Sequence, residues 1–191
     1  MIAPRRLVCC AALLALIAGA AGTPARAAGG GGITLASAGV RLVDGVYLLD
    51  SVADVRLTQP VARALDNGVP LTFAWRVEIE RERGWWPEAA IASVTQRFRI
   101  EYHALSLQYL VTNRNTGERR SFTRRRVALD FIATLIGYPI VDRMLLDEPG
   151  RHTGYARLVL EHDSLPLPLR PEALFSPAWY LASEWRSWSF E

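Results

Sequence analysis

The sequence predicts a mainly β protein: an antiparallel β-sandwich, immunoglobulin-like in general architecture, with about seven or eight strands and two short helices. One sign is alternation over Leu71 to Ile79, with one face apolar and the other mostly wet, resumed from Val94 to Tyr102. Another is the regular recurrence of turn residues at Asp44-Gly45, Gly84 to Pro87 and Asn113 to Gly117. A third is the pair of short helical patterns bracketed by Pro60 and Gly68 and by Thr123 and Gly137.

The chain opens with a basic leader, Met1 to Arg6, an apolar run from Leu7 to Gly22 and the small-x-small triplet Ala25-Arg26-Ala27, the pattern of an export signal cleaved after Ala27. The run is short for a membrane span, which needs roughly 20 residues, although a retained N-terminal anchor is the alternative. Cys9 and Cys10 precede the apolar core of the run instead of following it, which argues against a lipidated cysteine. Residues 1–27 are therefore read as a signal peptide, 28–39 as a glycine-led flexible leader, and 40–191 as a single β-rich domain.

Within that domain Val40 to Val43 and Val46 to Leu57 read as a hairpin about an Asp-Gly turn. Pro60 then suits a first helical position and Gly68 a stop, around Val61, Ala62, Ala64 and Leu65. Leu71 to Glu80 and Val94 to Tyr102 follow as a long hairpin whose tip carries Trp85-Trp86, with Arg97 and Arg99 expected across from Glu78 and Glu80. Leu105 to Val111 reads as a strand, Asn113 to Gly117 as a turn and Arg119 to Phe122 as a short return strand. Thr123 is placed to cap a helix running to Ile136, with an apolar stripe from Val127 to Leu135. Tyr155 to His162 predicts another strand, and Trp179 to Phe190 an aromatic closing strand. Leu165 to Leu169, with prolines at alternate positions, is extended but unfit for a sheet centre.

Charge and composition exclude several functions. Every cation in the chain is arginine, and removal of Arg5, Arg6 and Arg26 with the leader leaves a mature chain whose basic and acidic residues balance, so no global field favours nucleic acid. Both cysteines leave as well, which excludes disulfides, thiolate metal sites and a cysteine nucleophile from the exported domain.

No nucleophile elbow, phosphate-cradling glycine loop or His-Glu-x-x-His pair is present. His162 beside Asp163 supplies two ligand types where a metal centre needs three or four, so no metal and no cofactor is expected. Glu78, Glu80, Glu82 and Glu101 have arginine neighbours on wet strand faces, which keeps a carboxylate ionised and unsuited to act as a general acid. Two features suit binding. Trp85 and Trp86 at a hairpin tip are costly to leave in water and are favoured interface anchors, the other reading being that they fold back on the sheet end. Arg124, Arg125 and Arg126, with Arg119 and Arg120, form the local basic cluster, suited to an acidic face of a partner protein, anionic lipid or acidic glycan, or else a solvated first helical turn. Arginine there opposes the helix dipole.

Arg63-Ala64-Leu65, the run Asn67-Gly68-Val69-Pro70-Leu71-Thr72-Phe73, Trp85-Trp86, Tyr102 with Ala104-Leu105, Gln108-Tyr109, Leu165-Pro166, Pro168-Leu169, and Trp179 with Ser183-Glu184-Trp185 resemble, in the same order, the proteobacterial family called domain of unknown function 4390. The resemblance implies an exported envelope protein without assigned activity and a link to envelope signalling. The chain departs from the family pattern at Leu167, where a basic residue is usual, and at Pro87. The functional expectation is a periplasmic, non-catalytic interaction or ligand-sensing module with an envelope protein partner. The alternatives are a periplasmic hydrolase and an outer-membrane-associated protein.

Overall fold

Alternating strands need two partners, a neighbour for the backbone and an apolar layer for one face, and the chain supplies both by building two sheets. The computed structural model describes residues 31–81, 89–146, 151–162, 165 and 176–190. In them β1 (Gly32–Val43), β2 (Val46–Arg56) and β7 (Thr134–Asp142) form one sheet in the order β1-β2-β7. The other sheet runs β6 (Arg119–Phe122), β5 (Gln108–Asn113), β4 (Ala89–His103), β3 (Leu71–Arg81), β8 (His152–Glu161), β9 (Arg186–Ser189). Every pairing is antiparallel. The chain is mainly β, in two sheets with two short helices.

The helices carry the chain between sheets. α1 (Gln59–Asp66) leads from β2 to β3, with Pro60 in its first turn and Gly68, at φ 83°, just beyond its end. α2 (Arg125–Ile132) leads from β6 back to β7. Both bury one face, Val61 and Leu65 from α1 and Ala128, Leu129 and Ile132 from α2. These join Leu49 and Val55 of β2, Phe73 and Trp75 of β3, Ile100 of β4 and Leu158 of β8 in one core. Trp75 is fully buried in it and donates its indole N–H to the Ile132 carbonyl at 2.9 Å, fixing the end of α2 to the centre of the six-stranded sheet. On its other side α2 touches the small sheet through Ala53 N–H to the Ala133 carbonyl, 2.9 Å. Phe131 meets Phe98 and Phe122 at ring separations of 6.0 and 5.4 Å.

Local chemistry explains the turns that the pattern predicts. Asp44 and Gly45 both take positive φ, 48° and 83°, between the paired residues Val43 and Val46, the geometry that suits the right-handed twist of a two-residue hairpin. Ser51, fully buried in β2, donates its hydroxyl to the Ser37 carbonyl where β1 bulges, so the buried oxygen is satisfied.

Several expectations change. β1 begins at Gly32, so residues 32–39 of the expected flexible leader are strand; the backbone of β2 pairs them, and Ile33 is buried. Leu105 and Leu107 lie in the turn 104–107, exposed, with Leu107 at φ 55°, and the strand starts only at Gln108. The second helix stops at Ile132, and 134–142 is β7: pairing with β2 outweighs the helical stripe. β8 starts at His152, three residues before the expected Tyr155. The register of β3 and β4 sets Arg97 opposite Ala74 and Arg99 opposite Thr72, away from Glu78 and Glu80. The closing segment is strand only at Arg186–Ser189; before it come a 3-10 turn at Pro177–Trp179 and an isolated bridge from Ala182 to Val159, because Trp179 and Leu181 turn into the core.

Candidate functional site

The start of α2 is where the charge pattern and the fold converge. Arg124 is the helix cap residue, extended at φ −121° and ψ 128°, and neither it nor Thr123, the expected cap, gives a side-chain cap; no acidic residue stands in the first turn. The first-turn amides thus lack a side-chain acceptor and are surrounded by cations, the reverse of what favours helix stability. A groove of about 520 Å³ opens here. Val55, Leu57 and Leu129 give it apolar surface, and Tyr109, Thr123, Arg56, Arg124, Arg125 and Arg126 its polar lining.

Two carboxylates organise the arginines. Asp54, at the end of β2, takes Arg126 on one oxygen and Arg56 on the other, each at 2.8 Å. These bonds, that from Arg126 foremost, hold the Asp54 carboxyl below the usual carboxylate range. Arg126 also reaches Asp130 one turn on, at 3.0 Å, and its own pKa rises in response, chiefly through the bond to Asp54. Asp66, the last residue of α1, accepts from Arg125 at 2.6 Å and from the Tyr109 hydroxyl at 2.8 Å. Burial, then the bond to Asp66, pushes the Tyr109 phenol up. Arg124 is exposed and forms no ion pair or hydrogen bond through its side chain among the described residues.

The five arginines read together from sequence therefore separate. Arg124, Arg125 and Arg126 share the groove, while Arg119 and Arg120 are not part of its lining; Arg120 pairs with Glu118 at 2.8 Å and lies over the Phe131 ring. Arg56 and Tyr109 enter the site unannounced, because only the packing of β2 and β5 against α2 brings them there. Trp85 and Trp86 lie outside the described residues. His162 donates its Nε2–H to the Trp179 carbonyl at 2.8 Å, which uses the imidazole to hold the closing segment. Among the described residues there is no cluster of three or more His, Cys, Asp or Glu arranged to hold a metal, and no helix long and apolar enough to cross a membrane.

The family described as Domain of unknown function (DUF4390) matches residues 31–189, from the first described residue to the end of β9. The chain belongs to this family. Neither curated proteins nor solved structures yield a match.

Proposed function

We propose that this DUF4390 protein is an exported, non-catalytic binding module of the cell envelope, and that the groove at the start of α2 receives an acidic segment of an envelope protein partner. The observation that carries this reading is the combination of apolar surface, four arginines and a single arginine, Arg124, left without a counter-ion among the described residues. Apolar area supplies affinity, and a guanidinium that needs no rearrangement to meet a carboxylate supplies orientation. Arg125 and Arg126, neutralised by Asp66 and by Asp54 and Asp130, shape the walls, and Arg124 carries the net positive charge. Export rests on the leader at residues 1–27, and predicts a periplasmic species beginning at Ala28. N-terminal sequencing that returned Met1 on a membrane-bound protein would favour an anchor.

The groove is tested by titrating the exported chain with a fluorescent oligoglutamate peptide ending in an aromatic residue, at two ionic strengths. Saturable binding that weakens at least about tenfold in Arg124→Glu, with thermal stability equal to or slightly above that of wild type, is expected. Equal affinity for variant and wild type, or no saturable binding to either, would overturn the proposal.

A further inference from the structure

On the outer face of the six-stranded sheet, far in sequence from the α2 cluster, a second set of cations outnumbers its acidic partners among the described residues. Antiparallel register sets Arg76 of β3 directly opposite Arg157 of β8. Like charges facing each other across a strand pair are destabilising, so the juxtaposition is a cost the fold carries. Its neighbours relieve it only in part. Arg76 leans to Glu161 at 3.6 Å, but Glu161 also takes Arg97 at 3.1 Å. Arg157 has no ion pair among the described residues. Its guanidinium lies 4.3 Å above the Trp185 ring, and its Nε is shielded from solvent without a hydrogen-bond acceptor.

Both arginines line a cleft of about 320 Å³ together with His162, Tyr180 and Glu161, whose carboxylate is already held by Arg76 and Arg97. Tyr180 is 70% exposed, an aromatic face turned to solvent beside two guanidinia. Stacking on Trp185 also fixes the plane of Arg157, so its remaining N–H groups are presented with little entropy left to lose.

We propose that this cleft is a binding site for a small oxyanion ligand, a carboxylate or phosphate group bridging Arg76 and Arg157, with an adjoining flat apolar part lying against Tyr180. A bridging oxyanion converts the opposed cations from a repulsive pair into a two-sided clamp. The volume suits a small molecule or a terminal group. The site is separate from the α2 groove and does not depend on it.

The test follows the arginine Nε–H resonances of the exported chain by NMR during titration with acetate, benzoate and inorganic phosphate. Saturable shifts at Arg76 and Arg157 are expected, with benzoate binding more tightly than acetate; tighter binding of phosphate would assign the oxyanion as phosphate. Arg157→Gln should weaken binding at least about tenfold, as should Arg76→Gln, which leaves the Trp185 stack in place. Arg157→Lys should fall between, since it keeps the charge and loses the planar fork. Arg124→Glu should leave binding here unchanged. Linear, unsaturable shifts of equal size at every exposed arginine, or Arg76 shifts unchanged in Arg157→Gln, would overturn the proposal.

Discussion

Replacing Trp75 with Phe should be among the most damaging conservative changes in this protein, and the size of the loss follows from the site. The indole is completely buried, and its N–H reaches the Ile132 carbonyl at 2.9 Å. Phenylalanine removes the donor and leaves that buried carbonyl short of a partner, which costs about 1–2 kcal/mol. It also vacates roughly 40 Å³, worth about 1 kcal/mol at the usual cavity coefficient, and the lost transfer energy adds about another. The expected destabilisation is therefore about 3–4 kcal/mol, or a fall in Tm of roughly 6–16 °C for a domain of this size. Urea denaturation followed by far-UV circular dichroism measures the first quantity, and calorimetry the second. Because the bond anchors the end of α2, the variant should also weaken oligoglutamate binding at the other end of the same helix. A loss below about 1 kcal/mol would refute the reasoning, since it would mean that the helix is held by its apolar face alone.

Asp54→Asn should change the acid limb of the stability curve. The folded-state pKa of Asp54 lies below its unfolded value, so its contribution is present above about pH 4 and is lost as pH falls through the depressed value. Wild type and variant should accordingly differ at neutral pH and converge toward pH 2, as read from urea denaturation across that range. Gly154→Ala would drive a methyl group into the Trp188 indole, which lies across Gly154 in the β8–β9 pair. Overpacking of about 1–3 kcal/mol and a changed near-UV circular dichroism spectrum are expected. Arg126→Ala, which breaks bonds to both Asp54 and Asp130, should lower stability by up to about 1 kcal/mol, while Arg124→Ala should be neutral or slightly stabilising because it removes a cation from a helix start. Calorimetry on both variants checks the ordering.

The strands with a one-sided burial pattern were legible because burial itself writes the alternation. Leu71, Phe73, Trp75, Val77 and Ile79 all face the core, and Gln96, Phe98 and Ile100 do the same from β4. The elements that misled are those in which pairing overrides local pattern. β7 carries Leu135 buried at one edge of an irregular stretch of its register with β2 and Ile136 exposed within it, so its residues fit a helical stripe as well as a strand. β1 is an edge strand whose far half is mostly exposed, and its small residues resemble a linker until β2 supplies the partner. The site divides in the same way. Three consecutive arginines at a helix start stand out in one dimension, but Arg56 and Tyr109 reach the groove from β2 and β5. Cross-strand register, which sequence spacing does not give, alone sets Arg76 against Arg157.

The two cationic surfaces also explain how a chain whose residues 28–191 balance in charge can present positive ground. Asp54 holds two arginines, and Glu161 holds two more, so each acid anchors side chains from different elements. At the groove Asp130 and Asp66 complete the count for Arg126 and Arg125, whereas at the cleft the single carboxylate of Glu161 positions two guanidinia and offsets one charge. The surplus falls on Arg124 at one site and Arg157 at the other, the two arginines in these clusters that lack an acidic partner among the described residues. Each carries a local electrostatic cost: the first opposes a helix dipole, and the second faces a like charge that its contact with the Trp185 ring offsets only in part. Arg124 has no compensating contact among the described residues and Arg157 has the Trp185 ring alone, and at both places an open groove or cleft lies beside the guanidinium on the side an anion would approach.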